Sequence, residues 1–382
     1  MQLSVIILNY NVRYFLEQCV YSVQKALEQI DGEIIVVDNN SHDDSCGMMK
    51  QLFPSVKLIE NKENLGFSKG NNVGVAAAQG EYICILNPDT VVAEDTFIKV
   101  LAFAKKQADL GIVGVKLIDG TGHFLPESKR GIPTPWVAFT KISGLYKIVP
   151  KSRLFGSYYA EHLSENETGK VDILVGAFML MKRNLYTEIG GFDENCFMYS
   201  DDIDLSYSVL KNGNSNYYFH STSVIHYKGE STNRDGIYMK RFREAMNFFY
   251  KKHFKISILF SLFMEIGILF FSFLKMFQGK TKPKRMPKKY ILISDNDTAR
   301  KALELPLNQK VFLQKTIELT GFNSNTEIIL DQNFIDFKTI INVLETHKNK
   351  GFTFKIGSKS FDFSIGSNSS FDRGEIIKTA VF

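Results

Sequence analysis

Tyr82-Ile83-Cys84-Ile85-Leu86-Asn87-Pro88-Asp89 is the stretch that decides how this chain folds. Its first five residues form a short, β-prone apolar run, and the proline turn that cuts the run off marks it as a buried central strand. Such a strand delivers Asp89 to the carboxyl end of a sheet, the edge at which open α/β sheets bind ligands. A carboxylate there can hold a divalent cation against phosphate oxygens. Taken alone, the tripeptide Asn87-Pro88-Asp89 also reads as an ordinary turn closing a strand.

Outward from this run, strands and helices alternate. Strand-like segments fall at Ser4–Leu8, Glu33–Val37, Lys57–Ile59 and Ile112–Val115. Between the first two, Val12, Leu16, Cys19, Val20, Val23, Leu27 and Ile30 recur every three or four residues, which predicts one apolar face of a helix. Phe97, Leu101 and Ala104 repeat the pattern after Glu94. The alternation predicts a parallel, doubly wound sheet. Residues 120–170, with Pro126, Pro133, Pro135 and Pro150, read as an irregular loop region over a site. Val171–Met181 reads as one apolar strand, Leu185–Ile189 as a helix stopped by Gly190-Gly191, and Asp201-Asp202-Ile203-Asp204 as the opening of another helix before a strand pair ending at His226. From Tyr290 onward a second αβ unit follows, with strands at Tyr290–Ser294, Glu327–Leu330 and Phe352–Ile356, a helix near Phe334–His347, and a hairpin joining Ile356-Gly357-Ser358 to Ile365-Gly366-Ser367.

The chain has 382 residues, enough for two domains, and a formal net charge of +5. Seven bases and no acid lie between Lys275 and Lys289, which leaves the remainder close to neutral. A nucleic-acid binder would spread its bases over a groove or face, so a single block argues against nucleic acid and for a membrane surface. Ile256–Leu274 is apolar apart from Glu265 and a few serines, and bases flank it on both sides. That segment either spans a bilayer once or lies in the interface; a buried core helix is the third reading. The four cysteines are scattered without a CxxC pair, Cys19 and Cys84 read as buried thiols, and Leu3–Leu8 is too short for a signal sequence, so a cytoplasmic setting is expected.

Four clusters leave strand ends: Asn9-Tyr10-Asn11, Asp38-Asn39-Asn40-Ser41, the run Asn61–Asn72, and Asn87-Pro88-Asp89. Asp38 could accept the imide N–H of a pyrimidine; alone, its neighbourhood is a turn and helix cap. Gly66 and Gly70 bracket a helix start, where free N–H groups favour phosphate. No GxGxxG fingerprint and no Walker loop occurs, which disfavours a dehydrogenase or a P-loop enzyme. Three acids within Asp201–Asp204 exceed what a helix cap requires, and one carboxylate near a metal-bound phosphate is what a general base needs. His226 becomes a metal-ligand candidate if Asp89 is one.

The ordered set of these motifs resembles the family 2 glycosyltransferases, inverting nucleotide-sugar enzymes of the GT-A fold, and most closely their rhamnosyltransferase-like bacterial branch. The carrying residues are Val5–Asn11, Ile35–Ser41, Asn64–Phe67, Leu86–Thr90, Gly190–Glu194, Asp201–Leu205 and His226–Ser231. The resemblance covers residues 1–250 and implies a Rossmann-like GT-A sheet there; the residues themselves predict a hydrophobic membrane helix with basic flanks at 251–289 and a small α/β domain without assigned role at 290–382. It implies a dTDP- or UDP-sugar donor, rhamnose among the sugars, held by Asn9, Tyr10, Asn11, Asp38, Asn40, Asn64, Gly66, Phe67, Asn71 and Asn87. Asp89 and His226 would ligate Mg2+ or Mn2+, and Asp202 would be the base, with Asp201 its neighbour. Asn87 stands where many relatives carry Asp, a neutral and weaker ligand. The expected acceptor is a glycan or lipid-linked glycan, the expected place the cytoplasmic face of the cell membrane, and the expected process surface-polysaccharide assembly.

Two rival readings come with this one. A sugar-phosphate nucleotidyltransferase would need a glycine-rich loop after the first strand, and Asn9-Tyr10-Asn11-Val12 has no glycine. A catalytically silent, membrane-associated nucleotide-sugar-binding or scaffold protein draws its support from Asn87.

Overall fold

A computed structural model describes the chain apart from residues 135, 138–139, 141–151, 153–155, 197–198, 229–235, 255–286, 320, 323, 369–373 and 380–382. The apolar segment 256–274, most of the basic block, and residues 229–231 therefore lie outside the described residues. Among the described residues no helix is long and apolar enough to cross a membrane.

The N-terminal unit runs β1 (Leu3–Asn9), α1 (Arg13–Leu27), β2 (Gly32–Asp38), α2 (Ser45–Leu52), β3 (Lys57–Glu60), α3 (Gly66–Ala76), β4 (Tyr82–Leu86), β5 (Thr90–Val91), α4 (Thr96–Ala104) and β6 (Leu110–Ile118). It continues with β7 (Gly169–Val171), β8 (Phe178–Lys182), α5 (Arg183–Glu188), α6 (Asp201–Lys211), β9 (Ser215–His226) and α7 (Gly236–His253). The sheet order is β3-β2-β1-β4-β8-β6-β9-β5, with β7 on β9.

Strands β1 to β4 are parallel, as the alternation predicts, but β8 enters between β4 and β6 in the opposite sense, and β5 and β7 are antiparallel to β9. The sheet is thus mixed, not wholly parallel. Val171–Met181 is not one strand either: β7 and β8 are separated by residues 172–177, whose backbone and side chains turn to other partners. Gly176 N–H donates to a side chain of α6, and Ile173 pairs with Arg130. The expected strand pair before His226 is one long strand, β9, whose register against β6 shifts between Val115 and Lys116, so that His220–Thr222 are extra residues on β9.

The periodic residues of α1 account for its packing: Leu16, Cys19, Val20 and Val23 are wholly buried against the sheet with Val5, Ile7, Val36 and Cys84. Removing each such aliphatic side chain from water contributes about 1.5–3 kcal/mol. Because β1, β2 and β4 are buried on both faces, they read as continuous apolar runs rather than alternating ones.

The C-terminal unit comprises β10 (Lys289–Ile293), α8 (Asp297–Leu307), β11 (Val311–Gln314), β12 (Thr326–Asp331), α9 (Phe337–His347), β13 (Thr353–Gly357), β14 (Phe363–Gly366) and β15 (Glu375–Lys378), in sheet order β11-β10-β12-β13-β14-β15. Its predicted strands and hairpin are present, with Ile356 opposite Ile365. The two units share one apolar cluster. Val12, Phe15, Val91, Ile118, Ile225 and Tyr227 of the first pack with Ile291, Ile293, Phe337, Ile340, Ile341 and Phe363 of the second. Glu94 seals the junction by accepting the free N–H groups of Phe337 and Lys338 at the start of α9, at 2.8 and 2.9 Å.

Candidate active site

The parallel register of β1 and β2 places Asn9 opposite Asp38 at the carboxyl edge. Asn9 Nδ2 donates to Asp38 Oδ1 at 2.7 Å and to Ser41 Oγ at 3.0 Å, and Ser41 N–H donates to Asp38 Oδ2 at 2.8 Å. Asn11 and Asn40 both have left-handed backbones, φ 55° and 61°, which asparagine tolerates better than most residues. Asn11 N–H donates to Ser41 Oγ and its Oδ1 accepts from His42 N–H, so these two loops form one knitted floor. Tyr10 is half-buried beside them. Asn9 Oδ1 is buried and has no partner among the described residues.

The Asn64–Asn71 segment adjoins this floor. Gly66 has φ 78°, and Asn64 Oδ1 accepts its N–H at 2.9 Å just where α3 starts. Asn39 Nδ2 donates to the Gly66 carbonyl and to Asn64 Oδ1, tying the loop to β2. Asn71 is wholly buried; its Nδ2 donates to the Phe67 carbonyl, and its Oδ1, like Ser68 Oγ, has no partner among the described residues. Phe67 lies edge-on to Phe192, 5.5 Å between ring centres.

At the next strand end Asn87, Asp89 and His226 converge. Asn87 Nδ2 lies 3.3 Å and Asp89 Oδ1 3.4 Å from His226 Nε2. The antiparallel pairing of Thr90 with His226, and the Tyr227 N–H donated to the Asp89 carbonyl, fix this meeting. His226 Nδ1 is buried and has no partner among the described residues. Among those residues no group of three or more His, Cys, Asp or Glu side chains is placed to hold a metal ion. The set here is one carboxylate, one imidazole and one amide. Oxygen donors suit Mg2+ or Mn2+, and an imidazole nitrogen suits a later transition ion better than Mg2+. Two ligating atoms this far apart could share one ion, so the residues fit a divalent cation, Mn2+ better than Mg2+.

The fourth cluster opens α6. Asp202 Oδ2 accepts from Arg130 Nη2 at 2.5 Å and from Gly176 N–H at 3.1 Å. Asp201 is buried; burial and the neighbouring Asp202 charge push its carboxyl up to about 7. The third acid belongs to the scaffold: Asp204 holds His253 Nε2 at 2.6 Å and Lys252 Nζ at 2.9 Å, and Lys252 also reaches Asp193. That network pins the end of α7 to the start of α6.

Glu127 and Arg130, in the stretch 120–170 that reads as an irregular loop region, carry no mark of a site in the sequence. They lie on a short helical turn, Pro126–Ser128, and the strand-like residues after it. Glu127 pairs with Lys228, two residues beyond His226. Burial works against its charge, yet Lys228, and His226 more weakly, hold the carboxyl below its ordinary range. The spacing Glu127-x-x-Arg130 soon after a buried strand is their one local trace, and it does not identify a partner for either charge.

Residues 4–190 match the model of glycosyl transferase family 2. The chain is 28% identical over 248 residues to the N-acetylglucosaminyl-diphospho-decaprenol L-rhamnosyltransferase of Mycobacterium tuberculosis (strain CDC 1551 / Oshkosh), covering 61% of this chain and 78% of that protein. It is 27% identical to the rhamnosyltransferase WbbL of Escherichia coli (strain K12), covering 54% of this chain and 78% of the relative. Among solved structures, the mannosyltransferase PcManGT from Pyrobaculum calidifontis, in complex with GDP-Man and Mn2+, aligns over 73% of this chain and 76% of its own, with 16% identity and a TM-score of 0.47. The N-terminal unit, over residues 4–190, is therefore a glycosyl transferase family 2 domain built on a mixed α/β sheet, and the relatives it resembles include rhamnosyltransferases.

Proposed function

We propose that this glycosyltransferase moves a sugar, rhamnose foremost, from a dTDP- or UDP-sugar to a lipid-linked glycan, with inversion at the anomeric carbon. The supporting observation is the convergence of Asn87, Asp89 and His226 at a strand edge one short segment away from Asp202. Asn9, Asp38 and the half-buried Tyr10 and Asn40 would receive the base and ribose. The Gly66 helix start, with the oxygens of Ser68 and Asn71 that lack a partner among the described residues, would face the diphosphate or sugar. Asp89 and His226 would hold the divalent cation, with Asn87 beside them. When bound there, the cation supplies positive charge that stabilises the leaving diphosphate.

Asp202 would take the acceptor hydroxyl proton while that oxygen attacks the anomeric carbon and the bond to the diphosphate breaks. A single displacement needs no nucleophilic side chain. The cytoplasmic membrane face and surface-polysaccharide assembly are part of the proposal; the apolar segment at 256–274, the basic block after it and the lipid-linked substrate in the name of the mycobacterial relative support them.

The test is nucleoside diphosphate release from a panel of dTDP-, UDP- and GDP-sugars, with a polyprenyl-diphosphate-linked N-acetylglucosamine acceptor and with Mn2+, Mg2+ or chelator. Release from dTDP-rhamnose that needs acceptor and cation is the expected result. Release with a different donor alone would replace the sugar assignment, and no release under any condition would return the silent scaffold.

A further inference from the structure

We propose that Arg130 is a positioning residue for the transfer step, fixing one oxygen of Asp202 so that the other is presented to the acceptor hydroxyl; this rests on the reading of Asp202 as the base.

The two side chains are 13% and 12% exposed, so their ion pair is sheltered rather than a mobile surface contact. Arg130 is held from both ends. Its backbone exchanges two hydrogen bonds with Ile173, each 2.9 Å, and its Nη2 donates to the Leu174 carbonyl at 3.2 Å as well as to Asp202. The guanidinium is therefore fastened to the same short segment whose Gly176 N–H reaches Asp202. Both donors converge on Oδ2. Oδ1 makes no hydrogen bond among the described residues and is not one of the buried, unpartnered side-chain atoms.

A partner serving only to neutralise Asp202 would gain most from gripping both oxygens with its planar fork. Arg130 instead meets one oxygen, the same Nη2 also donates to a backbone carbonyl, and its Nε is buried with no partner among the described residues. Two donors from separate elements on a single oxygen leave the carboxylate little freedom to rotate. A base held so needs no reorientation when the acceptor arrives, which is where oriented groups gain rate. Burial opposes the guanidinium charge, and Asp202, with Tyr158 and Glu127 more weakly, outweighs it.

In the step itself, the acceptor O–H proton passes to Asp202 Oδ1. The acceptor oxygen forms its bond to the anomeric carbon, and the electron pair of the broken bond leaves with the nucleoside diphosphate.

A double-mutant cycle on the full chain tests the inference, with donor KM and kcat measured for wild type, Arg130→Ala, Asp202→Asn and the combination. Arg130→Ala should lower kcat by about 10²-fold with donor KM little changed. In the Asp202→Asn background the same change should cost almost nothing, because Arg130 acts through that carboxylate. Guanidinium chloride should restore part of the Arg130→Ala rate, and sodium chloride of equal ionic strength should not. Equal losses from Arg130→Ala in both backgrounds, or loss in KM alone, would overturn the assignment; Arg130→Gln with wild-type kcat would do so too, even if the alanine variant fails to fold. Wild-type rates in Asp202→Asn would instead remove the base reading, an outcome separately visible in the same cycle.

Discussion

Asn87 and Asp202 are joined through two consecutive residues. Asn87 N–H donates to the Ala177 carbonyl at 3.1 Å, and Gly176 N–H donates to Asp202 Oδ2 at the same distance. The strand edge proposed to hold the cation and the carboxylate that would accept the proton are therefore spaced by one peptide unit rather than by two independent loops. A Cβ built on Gly176 would lie 3.3 Å from Phe67 Cζ and 3.5 Å from Asp202 Cβ. Gly176→Val, with two methyl groups more than alanine, should disturb both sides at once and lower kcat by about 10²-fold. Circular dichroism and thermal melting close to wild type would show that the loss is local.

Asp202→Asn should lower kcat by about 10²–10⁴-fold, the usual share of a general base, with donor affinity preserved. Isothermal titration with a nucleoside diphosphate and cation separates the two quantities. Parallel loss of both would make Asp202 a structural residue.

His226→Ala should behave in the opposite way. The lost ligand should raise the Mn2+ concentration needed for half-maximal rate by about 10-fold or more, and excess Mn2+ should recover most of the activity. Unchanged cation dependence would remove His226 from the proposed ligand set.

Asp201 gives a stability signature with a definite sign. Its carboxyl is pushed from 3.8 up to about 7 in the folded protein by burial and the Asp202 charge. Below pH 4 the folded and unfolded chains both hold this proton. Between pH 4 and 7 the unfolded chain releases it and the folded chain keeps it, so stability falls as pH rises, by up to about 1.4 kcal/mol per unit. Asp201→Asn should remove that slope. The variant's melting temperature should therefore gain on wild type from pH 5 to pH 7 and hold its lead above.

Glu94→Gln tests the junction between the two units. The carboxylate takes two N–H groups at the start of a helix it does not belong to, where the helix dipole favours negative charge. The amide should cost about 1 kcal/mol, read as a lowered urea midpoint. An unchanged midpoint would mean that apolar burial alone holds the units together.

Much of this arrangement could be read from the residues. Strand ends β1, β2 and β4 are marked by apolar runs that stop at Asn9, Asp38 and Asn87, because a fully buried strand has no polar alternation to blur its limit. The meeting of Asp89 with His226 was inferable only through the family resemblance, since the pairing of Thr90 with His226 spans more than a hundred residues of chain. The split of Val171–Met181 was hidden because Ile173–Val175 in the turn are as apolar as β8; what breaks the run is Gly176 turning its N–H toward α6. Arg130 was hidden for a related reason. Nothing local distinguishes a loop arginine that finds a carboxylate seventy residues later from one that faces water. Of the three acids at Asp201–Asp204, only the packing of α7 shows that Asp204 serves the scaffold.

The shared apolar cluster has a practical consequence for anyone trimming this protein. A fragment cut at residue 250 would keep every strand-end cluster and the whole family match, and would look like a complete enzyme on paper. It would also lay bare Val91, Ile118, Ile225 and Tyr227, two of which adjoin the residues that would grip the cation. A newly uncovered greasy face of that kind is an aggregation liability. Expression of the minimal enzyme should therefore yield inclusion bodies, and soluble material should return when residues 287–379 are supplied on the same chain.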